Sequence, residues 1–253
     1  MRRVPARSGG FTLLELMLVL FIAAILITGL SMPLAAQVSL RRTEETRRQL
    51  DEARDVLLGF AIANGRLPCP AVAGSRGMES FAPGSDARDG LCADFFSGYL
   101  PAATLGLSPL DAEGFSRDAW GSVSSRIRYA VFGGRAVGGV TNPLTRVNGV
   151  RLATLDEIGS APGYLAVCTT GATVDSSGCG PAANHLTRKA AFVLLSLGPN
   201  APAIPPRGSD ESRNLDGDAV FVSHDPAPDF DDLVTWASVS QLVYRLVSAG
   251  RAP

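Results

Sequence analysis

Apolar and polar positions divide this chain into three stretches. Between Leu16 and Leu40 there is no charged residue, and Leu16 to Leu30 is almost wholly Leu, Ile, Val, Met, Phe and Ala. At ~1.5 Å rise per residue, about 20 such residues cross the ~30 Å hydrocarbon core of a bilayer. The pattern therefore predicts a membrane-spanning helix over 11–36. Beyond it, Leu40, Leu50, Ala53, Leu57, Phe60 and Ala61 fall on one face of an amphipathic helix running from Leu34 to about Asn64. The opposite face carries Arg41/Glu45, Glu44/Arg48, Arg47/Asp51 and Arg48/Glu52, each pair four residues apart. Asn64-Gly65 supplies a left-handed stop, and Leu67-Pro68-Cys69-Pro70 prevents the helix from resuming. One helix from Phe11 to Asn64 would be roughly 80 Å long, its first half in lipid and its second half under a globular head.

In the third stretch the periodicity changes. Residues 71–98 are rich in Gly, Ser, Pro and Asp and read as an irregular connecting loop. Arg126–Phe132, Gly163–Cys168, Ala190–Leu197, Ala219–Ser223 and Leu233–Trp236 read as strands, the second and third as central ones. Residues 198–218 form a second long segment without a period. Ser238 or Ser240 caps a last helix, whose Val239, Leu242, Val243, Leu246 and Val247 make an apolar face and which Gly250 ends. The expected fold is α+β: a long N-terminal helix, membrane-spanning in its first half, packed against an antiparallel sheet, with a short C-terminal helix.

Composition adds limits. The 253 residues carry a formal net charge of -1, so no basic footprint points to nucleic acid. With 46% hydrophobic residues, the 27 Gly and 17 Pro indicate a loop-rich head rather than disorder. Arg2, Arg3 and Arg7 precede the apolar run without an acid, whereas Arg41 to Asp55 balances five Arg with five acids. The positive-inside rule leaves the start in the cytoplasm and sends the head across. Outside the cytoplasm the four cysteines, Cys69, Cys92, Cys168 and Cys179, can form disulfides. Three pairings exist in principle, and proximity favours 69–92 and 168–179. An ordinary secretory signal is excluded, because Glu15 interrupts the basic-to-apolar transition and Pro33-Leu34-Ala35-Ala36-Gln37 lacks a suitable exit.

Glu15 stands at the mouth of the apolar run, where a plain anchor would avoid a carboxylate. Gly10-Phe11-Thr12-Leu13-Leu14-Glu15-Leu16, behind a short basic leader, resembles the cleavage and methylation site of type IV pilins and of the pseudopilins of type II secretion. The resemblance implies that a prepilin peptidase cuts after Gly10 and methylates the new amine of Phe11. It also implies that Glu15, opposite the Phe11 amine, assists assembly with other pilin or pseudopilin subunits on an inner-membrane platform. Pro33 falls one residue later than the family's usual proline. Asp118-Ala119-Trp120-Gly121, with Tyr129 beyond, is similar to the family's Asp-Pro-Trp-Gly turn, with Ala119 replacing the proline. The implied layout is a leader over 1–10, a transmembrane half-helix over 11–36 and a periplasmic head over 37–253.

Major pseudopilins bind calcium in a loop at the place of 198–218. By that resemblance Asn200, Asp210, Asn214, Asp216 and Asp218 are the expected oxygen donors, with calcium the implied cofactor. His185 has no ligand spacing around it and reads as a surface residue. His224 adjoins Asp225, but no G-x-S-x-G motif accompanies the pair. The expected function is that of a structural subunit, a minor pilin or pseudopilin, and not of an enzyme. The competing reading is a membrane-tethered periplasmic enzyme or binding protein that uses a pilin-type anchor.

Overall fold

A computed structural model of the chain describes residues 12–152, 155–174, 178–201 and 203–250, the side chains of 26–35 and of 155 apart. Helix α1 (Leu13–Asn64) runs unbroken for 52 residues, through Pro33. The chain divides into two compact units, Met1–Thr43 and Glu44–Pro253, and α1 enters both.

Within the second unit, Leu50, Ala53, Leu57, Leu58 and Ala61 of α1 are buried, as the heptad-like spacing requires. Leu40, expected on the same face, is 64% exposed. The charged face pairs differently from the i,i+4 expectation. Arg48 bonds Glu52 at 3.1 Å but reaches back three residues to Glu45, at 2.6 Å, instead of four to Glu44. The helix stops where expected: Gly65 adopts φ +67° and donates its N–H to Ala61 O. A side chain at Gly65 would also meet Asn148 Oδ1 at 2.7 Å from its Cβ.

From Arg66 the chain is extended, and Arg66 is buried beside Glu79 with two 2.7 Å hydrogen bonds. The guanidinium lies between the rings of Phe60 and Phe81, 5.3 and 5.5 Å from their centroids. Disulfide Cys69–Cys92 brackets the irregular loop as expected, and Cys168–Cys179 closes the second loop. Short elements follow: β1 (Gly98–Tyr99), α2 (Ala102–Leu105), β2 (Arg128–Val131), a separate hairpin of β3 (Ala136–Val137) and β4 (Val140–Thr141), then α3 (Gly149–Leu152) and α4 (Leu155–Ser160).

The main sheet is built on β6 (His185–Ser196), whose residues from Ala190 onward are all buried. A continuous apolar run of this kind suits a strand covered on both faces. β2, β5 (Leu165–Cys168) and β8 (Leu233–Ser238) each pair antiparallel with β6, and β1 extends the sheet beyond β2. The expectation of a wholly antiparallel sheet fails at β7 (Val220–Val222), which pairs parallel with β5. The hairpin β5–β6 reverses the chain, and the long 197–219 connection carries it back to run alongside β5. That connection also contains a helical turn, α5 (Asp210–Arg213), capped by Ser209. At the C-terminus α6 (Val239–Ser248) begins at Ser238, whose hydroxyl accepts from Gln241 N–H. One apolar core joins Leu57 of α1, Tyr129 of β2, Phe192 and Leu194 of β6 and Leu242 and Leu246 of α6.

The Asp-Ala-Trp-Gly turn explains its own departure from proline. Ala119 donates its backbone N–H to Thr46 Oγ1 of α1 at 3.1 Å, and Thr46 is fully buried. Proline has no such proton. Asp118 in the same turn accepts from Trp120 N–H and from Ser196 Oγ, so one buried carboxyl links α1's partner turn to the central strand.

Candidate functional site

The N-terminal end is organised by Thr12. Its carbonyl accepts from Glu15 and Leu16 N–H at 3.1 and 3.2 Å, and its hydroxyl accepts from Glu15 N–H at 3.3 Å. Thr12 is thus the N-cap of α1, and Glu15 stands three residues on, in the first turn, with its negative charge at the positive end of the helix dipole. The Thr-x-x-Glu spacing is a helix-start signature legible in the sequence. Side chains beyond it are open: Leu13, Leu14 and Phe21 are 80%, 78% and 65% exposed. Among the described residues no helix is long and apolar enough to cross a membrane. Within the expected span the side chains of 26–35 lie outside the described ones. Gly10 and Phe11, the expected processing residues, lie outside the described residues.

In the head, the five expected calcium donors do not form one ligand set. Asn200 donates its amide to Glu211 at 2.8 Å. Asp210 accepts from Gly171 N–H at 2.8 Å with one oxygen and faces His224 Nε2 at 3.1 Å with the other. Asn214 bonds both the N–H and the C=O of Val222, closing the outer edge of β7 as a neighbouring strand would. Asp216 lies 3.7 Å from Arg213, and Asp218 turns back onto Val220 N–H. Each donor is committed to shaping the loop.

The carboxylates that do converge are Glu211, Asp231 and Asp232, whose oxygens lie within 4.8 Å of one another. Glu211 accepts from Asn200 and from Asp231 N–H, and Asp232 accepts from the amide of Asn214 at 2.7 Å. Asp231 Oδ1 is buried without a hydrogen-bond partner among the described residues. Burial, reinforced by the charge of Glu211, pushes Asp231 up to about 6. Burial, the neighbouring acids adding to it, pushes Asp232 up to about 7. Asp231 and Asp232 therefore take up protons well above the usual carboxylate range, as the pH falls through neutrality. Asp229-Phe230-Asp231-Asp232 is visibly acidic in sequence, but nothing there pairs it with Glu211, twenty residues earlier.

His224 does not use the carboxylate of Asp225. Its Nδ1 faces the Asp225 carbonyl at 2.8 Å, its Nε2 faces Asp210, and its ring stacks on Phe230 at 3.9 Å. It lines a cleft of about 580 Å³ with Arg47, Asp51 and Leu50 of α1 and Leu233–Thr235 of β8. His185 is half-buried, its Nε2 against Gly180 O.

Residues 5–31 match the family model of the prokaryotic N-terminal methylation motif. The chain carries that motif. It is the signature of type IV pilins and pseudopilins. No curated protein and no solved structure matches the chain significantly. The methylation motif ends inside α1, so the 210 residues of the second unit are read from their own geometry. A motif of this kind implies processing by prepilin peptidase, assembly with other pilin subunits, and a membrane-anchored protein whose head faces the periplasm or the exterior.

Proposed function

We propose that the chain is a minor pilin or pseudopilin, a structural subunit of a type IV pilus or a type II secretion filament. One observation carries the reading. The methylation motif over 5–31 runs without a break into a helix that continues to Asn64, where its last turns are built into the head core. The apolar half, uncharged from Leu16 to Leu40, is the anchor in the bacterial inner membrane, and the head stands in the periplasm.

The mechanism is assembly. Cleavage after Gly10 leaves the amine of Phe11 as a new cation at the start of α1. Glu15, in the first helical turn, is the acid that balances it, on the same subunit or on the one before it in the filament. In lipid an uncompensated charge is costly, so the pair favours docking over the free subunit. The exposed apolar side chains from Leu13 to Ile25 then pack against other subunits.

Mass spectrometry of the protein from cells with active prepilin peptidase tests the reading. The expected mature terminus is N-methyl-Phe11, and Gly10→Val leaves the leader in place. A wild-type chain that keeps its leader in such cells would refute it.

A further inference from the structure

The loop between β6 and α5 carries a tip that its own head does not use. Ile204 is 95% exposed and is followed by Pro205, Pro206 and Arg207. A lone exposed isoleucine is ordinary, but this one stands between two hydrogen-bonded turns. Ala203 N–H bonds Asn200 O at 2.7 Å, and Asn200 is tied in turn to Glu211. On the far side Ser209 bonds Pro206 O through both its N–H and its hydroxyl. Pro205 faces a small cavity with Leu197 and Leu215. Two prolines and two anchored ends leave the tip little conformational entropy to lose on docking. Arg207 is exposed and makes no ion pair among the described residues.

The same head contains a recess of complementary chemistry. The 580 Å³ cleft has apolar walls that include Leu186, itself 46% exposed, and Leu233. Its rim carries Asp51 and Asp225, both exposed and both without an ion pair among the described residues, against the single Arg47. An apolar anchor followed by a cation fits a recess with an apolar wall and an acidic rim.

We infer that the Ile204–Arg207 tip of one copy docks in the cleft between α1 and β8 of a second copy, with Ile204 against Leu186 and Arg207 against Asp225 or Asp51. The tip and the cleft are different patches, so each copy can give one contact and receive another, the arrangement from which open assemblies grow. The inference rests on the reading of the chain as a filament subunit and adds that at least two copies stand side by side.

Two full-length variants, Ala203→Cys beside the tip and Pro226→Cys on the cleft wall, both at exposed positions that leave Ile204, Arg207, Asp51 and Asp225 in place, are co-expressed in cells that assemble the filament. A short bismaleimide and peptide mapping then read the link between positions 203 and 226, which must join two chains. The expected result is a crosslinked species that Arg207→Glu, added to the first variant, reduces about tenfold. Ala203→Cys co-expressed with Tyr244→Cys, a residue 70% exposed on α6, gives the background. Filaments that contain methylated subunits yet show no 203–226 link above that background overturn the docking and leave the proposed function standing. Absence of both methylation and filaments refutes the function itself. Melting temperatures of each variant, matched to the wild type, confirm that the head is folded.

Discussion

Asp232→Asn is the most informative substitution in the head. Burial and two neighbouring acids hold the Asp232 carboxyl protonated up to about pH 7 in the folded state, against 3.8 for the unfolded chain. At ~1.36 kcal/mol per tenfold change in proton affinity, this amounts to on the order of 4 kcal/mol for the group alone. Asp231 stands in the same field and is itself pushed up to about 6, so the two carboxyls are coupled and about 2–4 kcal/mol is expected from the substitution. The sign follows from proton counts. Between about pH 4 and pH 7 the unfolded chain has lost this proton and the folded one keeps it, so stability falls as pH rises across that window and levels off above it. The substituted amide has no such proton to lose, and its oxygen can still accept from the Asn214 amide, which donates to Asp232 at 2.7 Å. Urea unfolding of the full chain in detergent, at pH 5 and pH 8, should find the variant more stable than the wild type by about 1–2 kcal/mol at pH 5 and by more at pH 8. Parallel pH profiles for the two proteins, or a variant less stable at pH 8, would refute the assignment of a proton to this cluster.

Other expectations are simpler. Glu15→Ala should remove the subunit from filaments, scored by immunoblot of sheared filaments, while the melting of the head is unchanged; normal incorporation would defeat the electrostatic role of Glu15. Replacing Cys69 and Cys92 together by Ser should lower stability by about 3 kcal/mol in the chain-entropy view, measured by denaturant unfolding. Non-reducing peptide mapping should recover Cys69–Cys92 and Cys168–Cys179, and any other pairing contradicts the fold. Asp111 accepts from Arg126 at 2.8 Å and Arg117 at 3.1 Å, and although its burial works against ionisation, these cations and the N–H groups of Phe115 and Glu113 hold it down at about 2. Asp111→Ala should leave the buried Arg126 guanidinium only the exposed Glu113, 3.2 Å away, at a cost of roughly 3 kcal/mol, and a loss under ~1 kcal/mol would mean that Glu113 and solvent suffice.

Local rules were enough for the parts of this protein whose causes lie close together in sequence. The uncharged run after Glu15, the buried positions from Leu50 to Ala61, the stop at Gly65 and the Ser238 cap all depend on neighbours within a few residues. The two disulfides reach further, 23 and 11 residues along the chain, but still join cysteines adjacent in their order of occurrence. Periodicity located the five longer strands, because alternation or continuous apolarity records how many faces are covered, but not β1, β3 and β4, which at two residues each carry no period. Its limit was pairing. That β7 runs parallel to β5 depends on where a long connection returns, and no residue within β7 encodes it. The same limit explains the loop over 198–218. Oxygen-bearing side chains there suggested a calcium site, yet Asn200, Asp210 and Asn214 are spent on Glu211, His224 and Val222, partners made available only by folding. Conversely, Glu211, Asp231 and Asp232 meet only because α5 and the turn before β8 are brought together, and so the raised proton affinity of Asp231 and Asp232 was invisible in the sequence. The N-terminal motif could be read directly, because its chemistry lies in consecutive residues at the start of one helix. The acid cluster and the cleft belong to the tertiary structure, which alone brings such distant residues within a few ångströms.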